Sequence, residues 1–411
     1  METDTAAMPA LPDDVLASVL GHTSSPARRH RQQRRIDGEF SYVAPGTHWG
    51  GEFKVEDHCN GLNLYREDGD GDLYVCNPVT QRWVHLPPFL DRIERWKPRA
   101  FLVFDPAVSL HYEVLMSPLD LVKEEEQYCW TAQDVPPPLD GNTEWPPSRW
   151  TWRLFSSRTG RWRERDFVRE GEAAGTIADM LRVMKTVSYV TVSPWRYAAY
   201  WQGALYVHCH GEYVSRLSLT DRKYRVIESP IDRTEWYNKV RSFLGRSKDG
   251  VYFAAIRKCQ LRVWTLNEWH GGTEWVLKHD RVLKPHDWWS VVLASSYQQI
   301  QSEGPWILDD YYDSGKGKEN DWSSDDDDII STSSNQEKEN EKNENVYPGF
   351  LVLGFHPYKE VIFLADNRVA VAYHLNTSKV QFLGILKPSM HDYGVYDSFV
   401  YTPCHSLRHR G

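Results

Sequence analysis

Two stretches of the chain bring together side chains that could do metal chemistry. Asp68-Gly69-Asp70-Gly71-Asp72 sets three carboxylates at alternate positions, the oxygen-rich opening of a calcium loop. That loop also needs Gly at its sixth position and Glu at its twelfth, where this chain has Leu73 and Val79. The stretch therefore reads as a glycine-rich turn between strands. His208-Cys209-His210 would place two imidazoles on one face of a strand, because residues i and i+2 point the same way. Two ligands do not hold a zinc ion and no third is indicated, so a structural role is expected. Ser, His and Asp could be assembled from distant positions, but no nucleophile elbow and no phosphate-cradling glycine loop is present. The expectation is a non-catalytic chain without metal or cofactor.

The cysteines point the same way. Six lie at positions 59, 76, 129, 209, 259 and 404, none in a C-x-x-C pair, a spacing that fits reduced thiols in cytosol or nucleus. The acidic start, Met1-Glu2-Thr3-Asp4, leads into no apolar signal core, and no run reaches the ~20 apolar residues of a membrane helix. A net charge of −9 argues against a general nucleic-acid binder. The expected location is cytoplasmic, nuclear or both, with no membrane and no nucleic-acid partner.

The elements that would carry any site are strands. A turn recurs along the chain: Thr80-Gln81-Arg82-Trp83, Thr159-Gly160-Arg161-Trp162, Thr220-Asp221-Arg222-Lys223-Tyr224 and Thr377-Ser378-Lys379-Val380. Each copy follows a short alternating segment and precedes another, so each is the turn of a β-hairpin. Small sheets repeated in one chain predict a β-propeller. Five units can be drawn, at about 53–88, 101–167 (with an acidic, proline-rich loop from Glu124 to Pro147), 188–230, 240–280 and 350–386. Phe40–Ala44 and Val395–Tyr401 remain over, and pairing them would close the ring. The fold class is thus all-β, a propeller of five or six four-stranded blades. Its Trp-rich hairpins are expected to be blade core, and a ligand platform only second.

Three segments stand apart. Residues 11–21 read as one short helix: Pro12 suits its first position, Asp13 and Asp14 its positive end, and Gly21 its stop. Leu11, Val15 and Val19 form an apolar stripe, joined by Leu16 and Leu20. Three turns of isolated helix are marginal in water, so this one needs a partner. Residues 22–39, with the run Arg28-Arg29-His30-Arg31-Gln32-Gln33-Arg34-Arg35, form a basic linker; a nuclear-import signal or nucleic-acid arm is the sharper alternative. Residues 309–347, with Asp325-Asp326-Asp327-Asp328 and neighbouring serines, bury too little to fold and are expected to be a disordered insert. The divisions are thus 1–21, 22–39, a propeller over 40–405 and a tail over 406–411.

Leu11-Pro12-Asp13-Asp14-Val15-Leu16-Ala17-Ser18-Val19-Leu20 looks like the opening of an F-box. With Cys59-Asn60-Gly61-Leu62, the run from Val75 to Pro87 and Phe104-Asp105-Pro106, the chain resembles plant F-box proteins with an F-box-associated, kelch-like propeller. The resemblance implies a substrate receptor. The F-box would dock on the Skp-type adaptor of a cullin–RING ubiquitin ligase (the SCF type), and the propeller would recruit a protein for ubiquitination. Leu11, Pro12, Val15, Leu16, Val19 and Leu20 would face the adaptor. Residues 22–39 supply Arg and Gln where the family has further helices, so the F-box is truncated. Two other readings remain: an interaction module uncoupled from the ligase, and a propeller enzyme with carboxylates or metal ligands converging on the central channel.

Overall fold

In a computed structural model the described residues are 53–67, 71–88, 98–118, 140–179, 195–209, 213–231, 240–269, 272–283, 350–366 and 369–385. They form a β-propeller with five blades. The first holds β1 (Phe53–Cys59), β2 (Leu62–Glu67), β3 (Leu73–Asn77) and β4 (Arg82–His85). The second holds β5 (Ala100–Val103) and β6 (Glu113–Met116). After the short β7 (Glu144–Trp145) it continues with β8 (Arg149–Ser156) and β9 (Arg161–Arg169). Next comes β10 (Gly175–Thr176), which pairs with β7. The third blade is β11 (Trp195–Trp201), β12 (Ala204–Cys209), β13 (Tyr213–Ser218) and β14 (Lys223–Glu228). The fourth is β15 (Arg241–Ser247), β16 (Gly250–Arg257), β17 (Gln260–Trp269) and β18 (Gly272–Val282). The fifth is β19 (Leu351–Phe355), β20 (Val361–Asp366), β21 (Val369–His374) and β22 (Val380–Ile385).

A single blade buries neither face alone, and here neighbours supply the burial. Leu64, Val75, Leu102 and Val114 fill the gap between blades one and two. Trp152, Leu154, Leu205 and Leu217 fill the next. Val214, Phe253 and Trp264 lie between blades three and four, and Val263, Ile362 and Leu364 between four and five. Opposite faces of one strand feed opposite gaps, so Val263 packs on one side and Trp264 on the other.

The recurring turn has a physical cause. The fourth residue after Asn77, Ser156, Ser218 and His374 adopts left-handed backbone: Gln81, Gly160, Arg222 and Ser378, with φ of 54°, 64°, 59° and 57°. Such a residue aims the chain back along the sheet with the twist a hairpin needs. Asn77 Oδ1 accepts from Val79 N and Thr80 N at 3.1 and 3.2 Å, and the Ser156 carbonyl accepts from Thr159 N and Gly160 N at 3.1 and 2.8 Å. In the third copy Asp221, not Thr220, takes the position before the left-handed residue, one place later than sequence alignment of the threonines suggests.

Two further features differ from the sequence reading. The end of the acidic insertion is not loop, because Glu144–Trp145 pairs with Gly175–Thr176 and Arg169 binds Pro146 O at 2.6 Å. The second and third blades are also not separate sheets. β14 pairs in parallel with β9, Lys223 opposite Val168 and Tyr224 opposite Arg169, giving one eight-stranded sheet. The first helix, the basic linker, Phe40–Ala44, Val395–Tyr401 and the insert at 309–347 lie outside the described residues.

Candidate functional site

The first strands of all five blades line the central channel, whose cavity measures about 70 Å³. Its chemistry begins with a β-bulge in β1, where Glu56 is the extra residue between Val55 and Asp57. A bulge breaks the alternation of side chains, so consecutive carboxylates reach the same neighbour. Asp57 Oδ2 accepts from Leu102 N at 2.7 Å and Glu56 Oε2 accepts from Ala100 N at 3.5 Å, both on β5. Glu56 Oε1 also accepts from Arg66 Nε at 2.8 Å, a pair buried on both sides. Arg66 donates onward to Pro98 O at 2.6 Å, and Arg99 to Glu56 O at 3.0 Å. Burial pushes the Asp57 carboxyl up to about 7, against the lowering effect of the Leu102 and His58 backbone bonds and of Arg99. Carboxylates thus do meet at the channel, but each is held in bonds that tie blade one to blade two.

The turn Asn60-Gly61 follows β1 beside this channel, which Asn60 lines. Both residues have positive φ, 45° and 88°, the conformation of a tight hairpin turn. Asn60 Nδ2 donates to Phe104 O at 2.6 Å, and Cys59 Sγ donates to the same carbonyl at 3.2 Å. Asn60 Oδ1 accepts from Arg246 Nη2 at 2.7 Å, from the fourth blade across the channel. Arg246 also lies over the Trp201 ring, 6.0 Å from its centroid. One side chain therefore joins three blades. Cys59 is fully buried and its thiol is pushed up to about 12 by burial, so it is no nucleophile.

A second cleft, of about 190 Å³, opens on the outer rim between blades three and four. Arg216 Nε meets Glu268 Oε1 at 3.0 Å, and Lys223 and Arg225 share Glu170 at 2.6 and 3.0 Å. Trp269 forms a wall and is 52% exposed. Its indole lies against Gly272, where an added Cβ would stand 2.8 Å from Cζ2.

The residues singled out from sequence fall unevenly. Leu11, Pro12, Val15, Leu16, Val19 and Leu20 lie outside the described residues, as do Asp68, Asp70 and His210. Asp72 bonds His85 at 3.0 Å. His208 is buried edge-on to Phe253 at 5.1 Å, in a packing role. No group of three or more His, Cys, Asp or Glu among the described residues could hold a metal ion, and no helix among them is long and apolar enough to cross a membrane. Trp150 and Trp152 are core as expected, but Trp83 and Trp269 are substantially exposed. Sequence reading passed over Glu56, Asp57, Arg99 and Arg246; no motif marks them, and the fold alone brings them together.

No family model matches this chain, and no curated protein does. Some solved structures are distantly similar to it. A chain of YCF48 bound to D1 peptide is 8% identical with a TM-score of 0.34, over 80% of this chain and 66% of that one. Citrobacter koseri AztD is 10% identical with a TM-score of 0.32, over 82% and 71%. A chain of the Mitotic Checkpoint Complex is 10% identical with a TM-score of 0.34, over 91% and 90%. Likeness of this order transfers neither partner nor activity.

Proposed function

We propose that this chain is a non-catalytic substrate receptor of an SCF-type cullin–RING ubiquitin ligase, its propeller recruiting a protein target and residues 11–21 docking on the Skp-type adaptor. The observation that carries the proposal joins two of the phrases on which the family resemblance rests. Cys59-Asn60-Gly61-Leu62 and Phe104-Asp105-Pro106 are bonded to each other through the Phe104 carbonyl, which accepts from both Cys59 and Asn60. Residues far apart in the chain thus carry one structural device. The third phrase includes Asn77, which caps the first blade's turn. The engagement of Glu56 and Asp57 in blade-to-blade bonds supports a scaffold over an enzyme.

Coupling to the ligase is set by a small surface. Burying about four aliphatic side chains contributes ~6–12 kcal/mol, and association with helix ordering costs a comparable amount. The expected adaptor affinity is low. A pull-down of purified adaptor by the full chain tests this, with weak capture expected and complete loss on Leu16→Asp, which sets a charge in the apolar contact. Capture that survives Leu16→Asp would place the contact elsewhere in the chain. No capture at all would favour the second reading, a propeller interaction module uncoupled from the ligase. That reading has its own observation, the basic run Arg28–Arg35 standing where an F-box has further helices.

A further inference from the structure

Strand β9 sorts its charges by face. Its sequence alternates, so Trp162, Glu164 and Asp166 point to one side and Arg161, Arg163 and Arg165 to the other. Asp166 is satisfied on its side, accepting from Thr151 Oγ1 at 2.7 Å and meeting Arg149 at 3.3 Å. Arg163 and Arg165 stand opposite Leu154 and Trp152, on the face turned to the third blade. Arg222 joins them from across the seam, where its carbonyl accepts from Val168 N at 3.0 Å.

This cluster is short of negative charge. Glu113 reaches Arg163 Nη2 at 3.8 Å and Arg165 Nη1 at 3.9 Å, beyond hydrogen-bond distance in both cases. Asp221, next to Arg222 in the chain, is turned into its own turn, accepting from Lys223 N at 3.2 Å. Arg165 is 11% exposed and donates to Leu219 O at 3.5 Å, while Arg163 is 54% exposed. Burial, Arg163 and Arg222 all bear down on the Arg165 charge, with only Glu113 offsetting them. In a chain whose net charge is −9, four clustered arginines facing so few carboxylates are a local reversal of sign.

The backbone beside them has room for a strand. β9 meets β14 only at Val168 and Arg169, so among the described residues its outer edge from Arg161 to Asp166 has no strand partner. The arginines repeat every second residue, ~7 Å apart, the spacing of same-face side chains in an extended peptide. We infer that this edge and its arginine row bind an extended acidic segment of a partner protein, carboxylates at alternate positions meeting Arg161, Arg163 and Arg222. Added strand bonds would supply affinity and the arginines specificity. The inference rests on the propeller being an interaction module, and it is independent of ligase coupling.

Fluorescence anisotropy with the full chain and a labelled peptide of about eight alternating Glu and Thr residues tests it without adaptor present. Saturable binding that weakens with added salt is expected, about tenfold or more weaker for the double variant Arg161→Glu/Arg163→Glu. Both side chains are exposed, and near-UV circular dichroism confirms that the variant keeps its packing. Arg222→Glu, on the other side of the seam, should weaken binding as well. Equal affinity of parent and double variant would overturn the inference, as would no binding by the parent. Tighter binding of a single-stranded oligonucleotide of equal length would overturn it in favour of a general polyanion site. Binding that appears only after deletion of residues 312–345 would overturn the partner-protein assignment and give the surface to the chain's own acidic run.

Discussion

Replacing Asp57 by Asn should remove a pH dependence of stability that the parent carries on its alkaline side. The folded chain holds the Asp57 proton more tightly than the unfolded chain, because burial raises the carboxyl from the ordinary 3.8 to about 7. Folding therefore takes up a proton in this window. The stability from Asp57 is fully present below pH 3.8 and is lost as pH rises through about 7. At 1.36 kcal/mol per pH unit the total is on the order of 4 kcal/mol, of which roughly 2–3 kcal/mol falls between about pH 5 and pH 8. The amide introduced by Asp57→Asn would keep an oxygen to accept from Leu102 N, now 2.7 Å from Asp57 Oδ2, and would have no charge to desolvate. Urea unfolding of parent and variant at the two pH values gives four stabilities. The parent should lose roughly 2–3 kcal/mol more than the variant on going to alkaline pH, and the variant should be the more stable of the two there. Equal losses would refute the reasoning and mean that Arg99 and the backbone donors hold Asp57 ionised.

Two other substitutions probe the same channel. Arg66→Met should destabilise the fold by about 1–3 kcal/mol in urea titration, because it removes the 2.8 Å partner of the buried Glu56 carboxylate and leaves Arg99 Nε, 3.7 Å away, as its remaining cation. Restoring neutrality with Glu56→Gln in the Arg66→Met background should recover part of that loss. Asn60→Ala should cost about 1–3 kcal/mol, since it removes the bonds to Phe104 O and from Arg246 and leaves a positive φ that suits Asn or Gly. Asn60→Gly separates the two causes, relieving the backbone while still losing both bonds.

What was legible in the sequence is what repeats locally. Alternation and turn chemistry are short-range properties, so the blades at 53–88, 101–167, 188–230, 240–280 and 350–386 correspond closely to the five observed blades, although the second and third share one sheet. The turn threonines were visible too, and Thr80 and Thr159 do point back to the carbonyls of Asn77 and Ser156, at 3.5 and 3.4 Å. The channel was not legible. Glu56 and Asp57 look like ordinary surface acids in Phe53-Lys54-Val55-Glu56-Asp57. Only the bulge, set by pairing with β2, turns both toward β5. The arginine row shows the same limit. Arg-Trp-Arg-Glu-Arg-Asp reads as mixed charge along the chain, and its segregation into a cationic and an anionic face appears once the period of two is imposed by a strand. Its meaning depends on Arg222, 57 residues after Arg165.

The parallel seam explains where a partner could add to this propeller and where it is discouraged. A four-stranded blade leaves its outermost strand with unpaired backbone groups, a standing invitation to pairing with other chains. β14 ends that exposure in part by pairing with β9, and Glu170 ties the joint by meeting both Lys223 and Arg225. β18, the longest strand, has no strand partner on its outer side among the described residues, and it exposes Leu277 and Val282, the latter at 67%. A bulge at Lys278 breaks its register, and Lys278, Asp280 and Arg281 are exposed along the same edge. These are the devices by which sheet edges resist unspecific pairing. The segment Arg161–Asp166 has no bulge, its register with β8 being regular throughout, and the charges on its arginine face share one sign. A like-charged row repels a second copy of itself and attracts an acidic strand. The edges of β18 and of Arg161–Asp166 therefore differ in kind, one guarded by a bulge and mixed charges and the other selective for charge.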